Sequence, residues 1–165
     1  MPWRARAGLV SGAAWVVLMA GVLGVAAQDW DPAAYRPVPF SQVLDTPRTA
    51  PAFVRGGKMT PGLLEDLVKT EATFTGNRRP AQTDPRLMDA WVLAHHFKPD
   101  IPEAFPLEYE FTDGTTVAWV RMFWWVAPDA IRPVKPGGRM ELYVHRIALG
   151  QLGPVAVAVQ ARALP

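Results

Sequence analysis

The chain has no cysteine, which excludes a disulfide framework, a Cys-linked haem and a lipid attached to an N-terminal cysteine. Gly-x-Ser-x-Gly, a Walker loop and histidines paired at i and i+4 are also missing, so the common hydrolase, nucleotide and zinc-protease signatures do not apply. Beyond residue 27 there is a single serine, Ser41, set in a proline-rich stretch, which argues against a serine nucleophile. Histidine is limited to His95, His96 and His145.

What the chain does have at its start is a leader. Arg4 and Arg6 form a basic n-region, and residues 7–27 contain no ionisable side chain. Trp15 to Ala20 is apolar, and Val25-Ala26-Ala27 offers small residues where a leader peptidase reads, predicting cleavage before Gln28. The competing reading is an uncleaved anchor, because this run is close to the ~20 residues that span a hydrocarbon core; its four glycines weaken it as a permanent helix. The protein is thus expected to be exported, periplasmic or secreted, with membrane contact only through a retained leader.

Arg4 and Arg6 lie in the leader, leaving 15 bases against 15 acids, so the basic pI of the whole chain is no argument for nucleic acid. Arg78, Arg79, Arg132 and Lys135 form no continuous basic stripe, and no nucleic-acid partner is expected. Acids predominate in residues 28–113 and bases in 114–165, an asymmetry that suggests two complementary faces.

The expected organisation is a leader (1–27), a proline-rich arm packed on the domain (28–60) and a single small β-rich domain (61–165). Six prolines between Pro32 and Pro61 disfavour a long helix, while Tyr35, Val38, Phe40, Val43 and Leu44 are too apolar for a solvated linker. Thr60-Pro61 followed by Leu63, Leu64, Leu67 and Val68 at helical spacing predicts a helix ending near Thr70, then a strand over Ala72–Thr75. Thr83-Asp84-Pro85 predicts a second helix carrying Leu87, Met88, Trp91, Val92 and His95 on one face and stopped by Pro99; residues 91–97 as a strand is the alternative.

The second half reads as β. Leu107, Tyr109 and Phe111 alternate with Glu108 and Glu110, Asp113-Gly114 suits a two-residue hairpin turn, and a strand follows over Thr116–Val126. Further strands are expected from Arg139 to about Leu149 and at Val155, Val157 and Val159, with a turn over Gly150–Pro154. The fold class is therefore mainly β with one or two short helices (α+β), either a small partly open β-barrel or a sheet packed by those helices.

The run Tyr109-Glu110-Phe111-Thr112-Asp113-Gly114-Thr115, a long strand, a proline-rich connection and Gly137-Gly138 before two strands resemble bacterial periplasmic OB-fold domains over residues 105–165. The resemblance implies a five-stranded barrel with a ligand-binding face, and carries no residue role across.

With a two-residue turn, Phe111 pairs with Thr116, Tyr109 with Ala118 and Leu107 with Val120, sharing an inner face with Met122 and Trp124. The outer face then holds Glu108, Glu110, Val117, Trp119, Arg121, Phe123 and Trp125. Either the arm or a helix covers it, or it is a groove where Trp119, Phe123 and Trp125 supply contact area and Arg121 and the two glutamates supply charge. His95 and His96 are about 100° apart on a helix and cannot easily share an ion; His145, Asp100 or Glu103 could join one of them only through the tertiary fold. No metal and no cofactor is expected, and the methionines, scattered at no regular spacing, read as core.

These features favour a non-enzymatic exported accessory domain binding a protein, peptide or envelope component through its aromatic face. The alternatives are a small hydrolase or lyase using carboxylate or histidine chemistry around residues 84–103, and a structural envelope protein held by an uncleaved leader. A pocket joining His95 or His96 to Asp100 and His145 would favour an enzyme, whereas an open aromatic groove would favour binding.

Overall fold

The computed structural model describes residues 31–51, 60–95, 106–122 and 130–165; the expected leader, His96, Asp100, Glu103, Phe123, Trp124 and Trp125 lie outside them. Among the described residues the elements are β1 (Arg36–Pro37), β2 (Leu63–Pro80), α1 (Pro85–Ala94), β3 (Leu107–Thr112), β4 (Val117–Met122), β5 (Arg139–Leu149) and β6 (Leu152–Ala163), with two lone 3-10 turns, Pro32–Ala34 and Phe40–Gln42. The expected class, mainly β with a helix packed on it, is the one formed. Pairings run β1-β2-β3-β4-β6-β5 and return from β5 to β2, so the single sheet is ring-like without being a barrel.

The helix expected from Thr60 to Thr70 does not form; the segment opens β2. Leu63 N–H donates to Thr60 O at 3.1 Å and Gly62 has φ +80°, which makes Thr60-Pro61-Gly62-Leu63 a β-turn with proline at its second position and glycine at its third. The Pro61 that suits a first helical turn thus serves a chain reversal instead. Leu63 to Thr73 then pairs antiparallel with Leu149 to Arg139, eleven consecutive positions, and this ladder outweighs the local helical pattern.

β2 serves two partners. Beyond Thr73 it pairs with β3, after an irregularity between Phe74 and Arg78. Gly76 sits in that irregularity at φ +96°, and a Cβ there would lie 2.7 Å from Pro136 Cγ. The irregularity falls at a residue where a side chain would force Pro136 to move, and beyond it β2 exchanges β5 for β3 as its partner.

Strand alternation sorts the β2–β5 ladder into two faces. Val68, Ala72 and Phe74 share one with Met140, Leu142 and Val144; Leu63, Glu65 and Leu67 share the other with His145, Ile147 and Leu149. β5 is buried along nearly its whole length because both of its faces are covered.

The second expected helix is present as α1. Asp84 caps it, accepting from Arg86 N–H at 2.9 Å, Pro85 occupies the first turn, and Leu87, Met88, Trp91 and Val92 are buried. Pro99, the expected stop, lies outside the described residues.

The β3–β4 hairpin forms in a different register from the one expected. Phe111 pairs with Ala118, Tyr109 with Val120 and Glu108 with Arg121, so the connection holds four residues instead of two. Asp113 Oδ1 accepts from Thr115 N–H at 2.9 Å and Thr116 N–H at 2.7 Å, closing the wider loop by its own side chain. The shift is two residues, which leaves every side chain on its expected face. Tyr109, Phe111, Ala118, Val120 and Met122 are buried in the core.

The arm packs on the domain. Tyr35, Val38, Phe40 and Val43 are buried, and β1 adds a short parallel strand to the edge of β2 at Val68–Lys69. Polar contacts help hold it: among them, Arg146 donates to Gln42 O at 2.9 Å, and Glu65 N–H donates to Thr49 O at 2.7 Å.

Candidate functional site

Glu65 lies on the α1 side of β2 and is 5% exposed. Its register partner on β5 is Ile147, so His145, two residues along, is its diagonal neighbour on the same face. From α1, Trp91 and His95 stand one turn apart and reach the same carboxylate. Three elements and the arm therefore converge on one ionisable group.

The contacts are short. Glu65 Oε1 accepts from Trp91 Nε1–H at 2.7 Å and faces His145 Nδ1 at 2.5 Å; His95 Nε2 lies 2.9 Å from each carboxylate oxygen. An ionised carboxylate only accepts, so both facing imidazole nitrogens carry hydrogen. On the far side of its ring, His145 Nε2 meets the Tyr35 hydroxyl at 2.8 Å. In neutral His145 the Nδ1–H tautomer leaves Nε2 to accept from Tyr35, giving a continuous chain Tyr35–His145–Glu65–His95. The aromatic rings pack edge to face around it, with Trp91 and His145 centroids 5.4 Å apart.

Burial by itself would raise the Glu65 carboxyl, but hydrogen bonds from His145 and His95, together with their attraction, overcome it and hold the group well below the usual carboxylate range. Burial and the neighbouring Glu65 charge push the Tyr35 phenol up, so it remains an O–H donor. Asp66 is also held low: burial opposes this, and bonds from Thr49 and Arg146 prevail. Glu65, Asp66 and His95 line a cleft of about 350 Å³ with Ala34, Arg36, Thr49, Ala50 and Leu67.

Of the three histidines considered from sequence, His95 and His145 come together, and Glu65 is what joins them; His96 lies outside the described residues. Glu65, Tyr35 and Trp91 were not among the expected site residues. Leu63-x-Glu65, read at strand spacing, places the glutamate on an apolar face, and that was the available signal. Asp84, considered for carboxylate chemistry, is instead the α1 cap and pairs with Arg86 at 2.7 Å.

The outer hairpin face differs from an open aromatic groove where it is described. Glu108, expected beside solvent, is 5% exposed; it accepts from Arg79 Nε at 2.8 Å and from Gln82 N–H and Thr83 Oγ1 at 3.2 Å. The Arg79 guanidinium lies 4.1 Å from the centre of the half-buried Trp119 ring. Arg121 is buried opposite Glu108, and its guanidinium is lowered by burial against the opposing pull of that glutamate. Glu110 accepts from Asn77 Nδ2 at 3.0 Å. Phe123 and Trp125, the remaining expected contacts, lie outside the described residues.

Neither a protein-family model nor a curated protein matches this chain.

Proposed function

We propose that the chain is an exported, non-enzymatic binding domain whose partner presents a cationic group to the cleft beside Glu65 and Asp66. One observation carries this reading: two carboxylates, both held below their ordinary range, line a single cleft beside Arg36, with Arg146 paired to Asp66 at 2.6 Å and the imidazoles of His95 and His145 on Glu65. A concave site with a few convergent polar groups is the usual form of a ligand pocket. The uncharged segment after Arg6 and the small residues at Val25-Ala26-Ala27 support export, and a peptide or an envelope component bearing amines is the matching class of partner.

The test is isothermal titration of the purified protein with an oligolysine peptide. Wild type is expected to bind, the affinity to fall with salt, and Glu65→Gln, which keeps the shape of the side chain, to weaken binding at least several-fold. Equal binding by both proteins, or none by wild type, overturns the reading.

A second reading keeps the outer face of the hairpin as a contact surface, because Val117, on the same face as Trp119, is 59% exposed. Trp119→Ala would then lower partner binding while leaving the oligolysine titration unchanged.

A further inference from the structure

We propose that Glu65, His95 and His145 form a binding site for one divalent first-row transition-metal ion, with a coordination position open to the cleft. The proposal rests on the preceding reading of the cleft and names the cation.

The donor set is two imidazole nitrogens and a carboxylate, with all ligand atoms within 4.8 Å of one another. Such a set suits zinc and its first-row neighbours and leaves room for water or a ligand. Two of the three inner donors already have an outer partner. Trp91 Nε1–H holds Glu65 Oε1 and the Tyr35 hydroxyl meets His145 Nε2, the second layer that orients metal ligands. A helix, two strands and the arm fix these groups, so the site is built on rigid elements.

The facing imidazole nitrogens lie 2.5 to 2.9 Å from the Glu65 carboxylate oxygens. Two donors on one ion at bonds of about 2.0–2.1 Å stand about 3.3 Å apart at a tetrahedral angle, so each imidazole–carboxylate pair opens by less than about 1 Å on loading, within a donor set whose ligand atoms all lie inside 4.8 Å. The proton balance closes locally. In neutral His145 the hydrogen leaves Nδ1 for Nε2, where the Tyr35 oxygen accepts it, and Nδ1 turns its lone pair to the metal. Neutral His95 likewise transfers its hydrogen from Nε2 to Nδ1. An imidazolium at either position loses one proton to solvent on loading.

The measurement is titration of the purified, chelator-treated protein with Co²⁺ and Zn²⁺, read by calorimetry, the ligand-field absorption of cobalt, and paramagnetic shifts of the Trp91 indole N–H. One ion per chain is expected, with a cobalt spectrum of low coordination number that Zn²⁺ abolishes. His95→Gln should weaken binding at least 100-fold, and Tyr35→Phe about 10-fold through the outer layer. The indole shift in wild type keeps the test decisive should a variant fail to fold. Absence of binding, binding that His95→Gln leaves unchanged, or an unshifted indole overturns the site. If oligolysine binds in a Glu65-dependent manner while the metals do not, the metal site falls and the cleft reading stands; if neither binds, both fall.

Discussion

Glu65 and His145, 80 positions apart in the chain, meet at 2.5 Å across the β2–β5 ladder. The contact depends on register: a one-residue slip of β2 against β5 would turn Glu65 to the opposite face, away from His145, Trp91 and His95. The ladder that replaces the expected first helix is therefore also what assembles the candidate site.

Glu65 should make stability sensitive to acid. Its carboxyl is held low in the folded protein, so its contribution is present above the ordinary carboxylate value of about 4.3 and is lost as pH falls below that value toward the lower folded one. Wild type should lose stability through this window more steeply than Glu65→Gln. Parallel acid limbs in chemical denaturation from pH 7 to pH 3 would contradict it.

Tyr35→Phe removes one hydroxyl and keeps the ring. His145 Nε2 then loses its partner in a buried setting, with an expected cost of about 1–2 kcal/mol. Urea unfolding should show a lower midpoint with an unchanged slope, since the surface exposed on unfolding is the same.

Glu108→Ala distinguishes the observed hairpin surroundings from the solvent-facing ones expected from alternation. A surface change there would cost within about half a kcal/mol; removing a buried acceptor from Arg79, Gln82 and Thr83 should cost about 1–3 kcal/mol. Equilibrium unfolding gives the difference directly.

Gly76→Ala should be more damaging than Gly62→Ala. Both glycines have positive φ, worth about 1 kcal/mol against alanine, but the space around Gly62 is open to 4.0 Å whereas a Cβ on Gly76 meets Pro136 Cγ at 2.7 Å. Thermal melting of the two variants should rank them in that order.

Export predicts an intact mass for the mature protein that begins at Gln28. A polypeptide retaining Met1 or Pro2 would instead support the anchored form.

Local chemistry made α1 legible: Asp84, Pro85 and the Leu87-Met88-Trp91 stripe act within a few residues of one another. The same holds for β5, bounded by Gly138 and Gly150, and for the inner face of β3 and β4, whose period-2 pattern survives a two-residue error in register. What the sequence pattern misdirected is the state of residues 63–70, where Leu63, Leu64, Leu67 and Val68 fall at helical spacing while Pro61-Gly62 carries the competing turn signal. Pairing with β5, some 80 residues away, resolves that ambiguity, because local preferences of a fraction of a kcal/mol per residue yield to a continuous ladder. The same pairing decides the candidate site. Glu65, His95, His145, Trp91 and Tyr35 come from two strands, a helix and the arm, and no spacing along the chain encodes their meeting; only the ring of strands and the arm packed upon it bring one buried carboxylate within reach of all four.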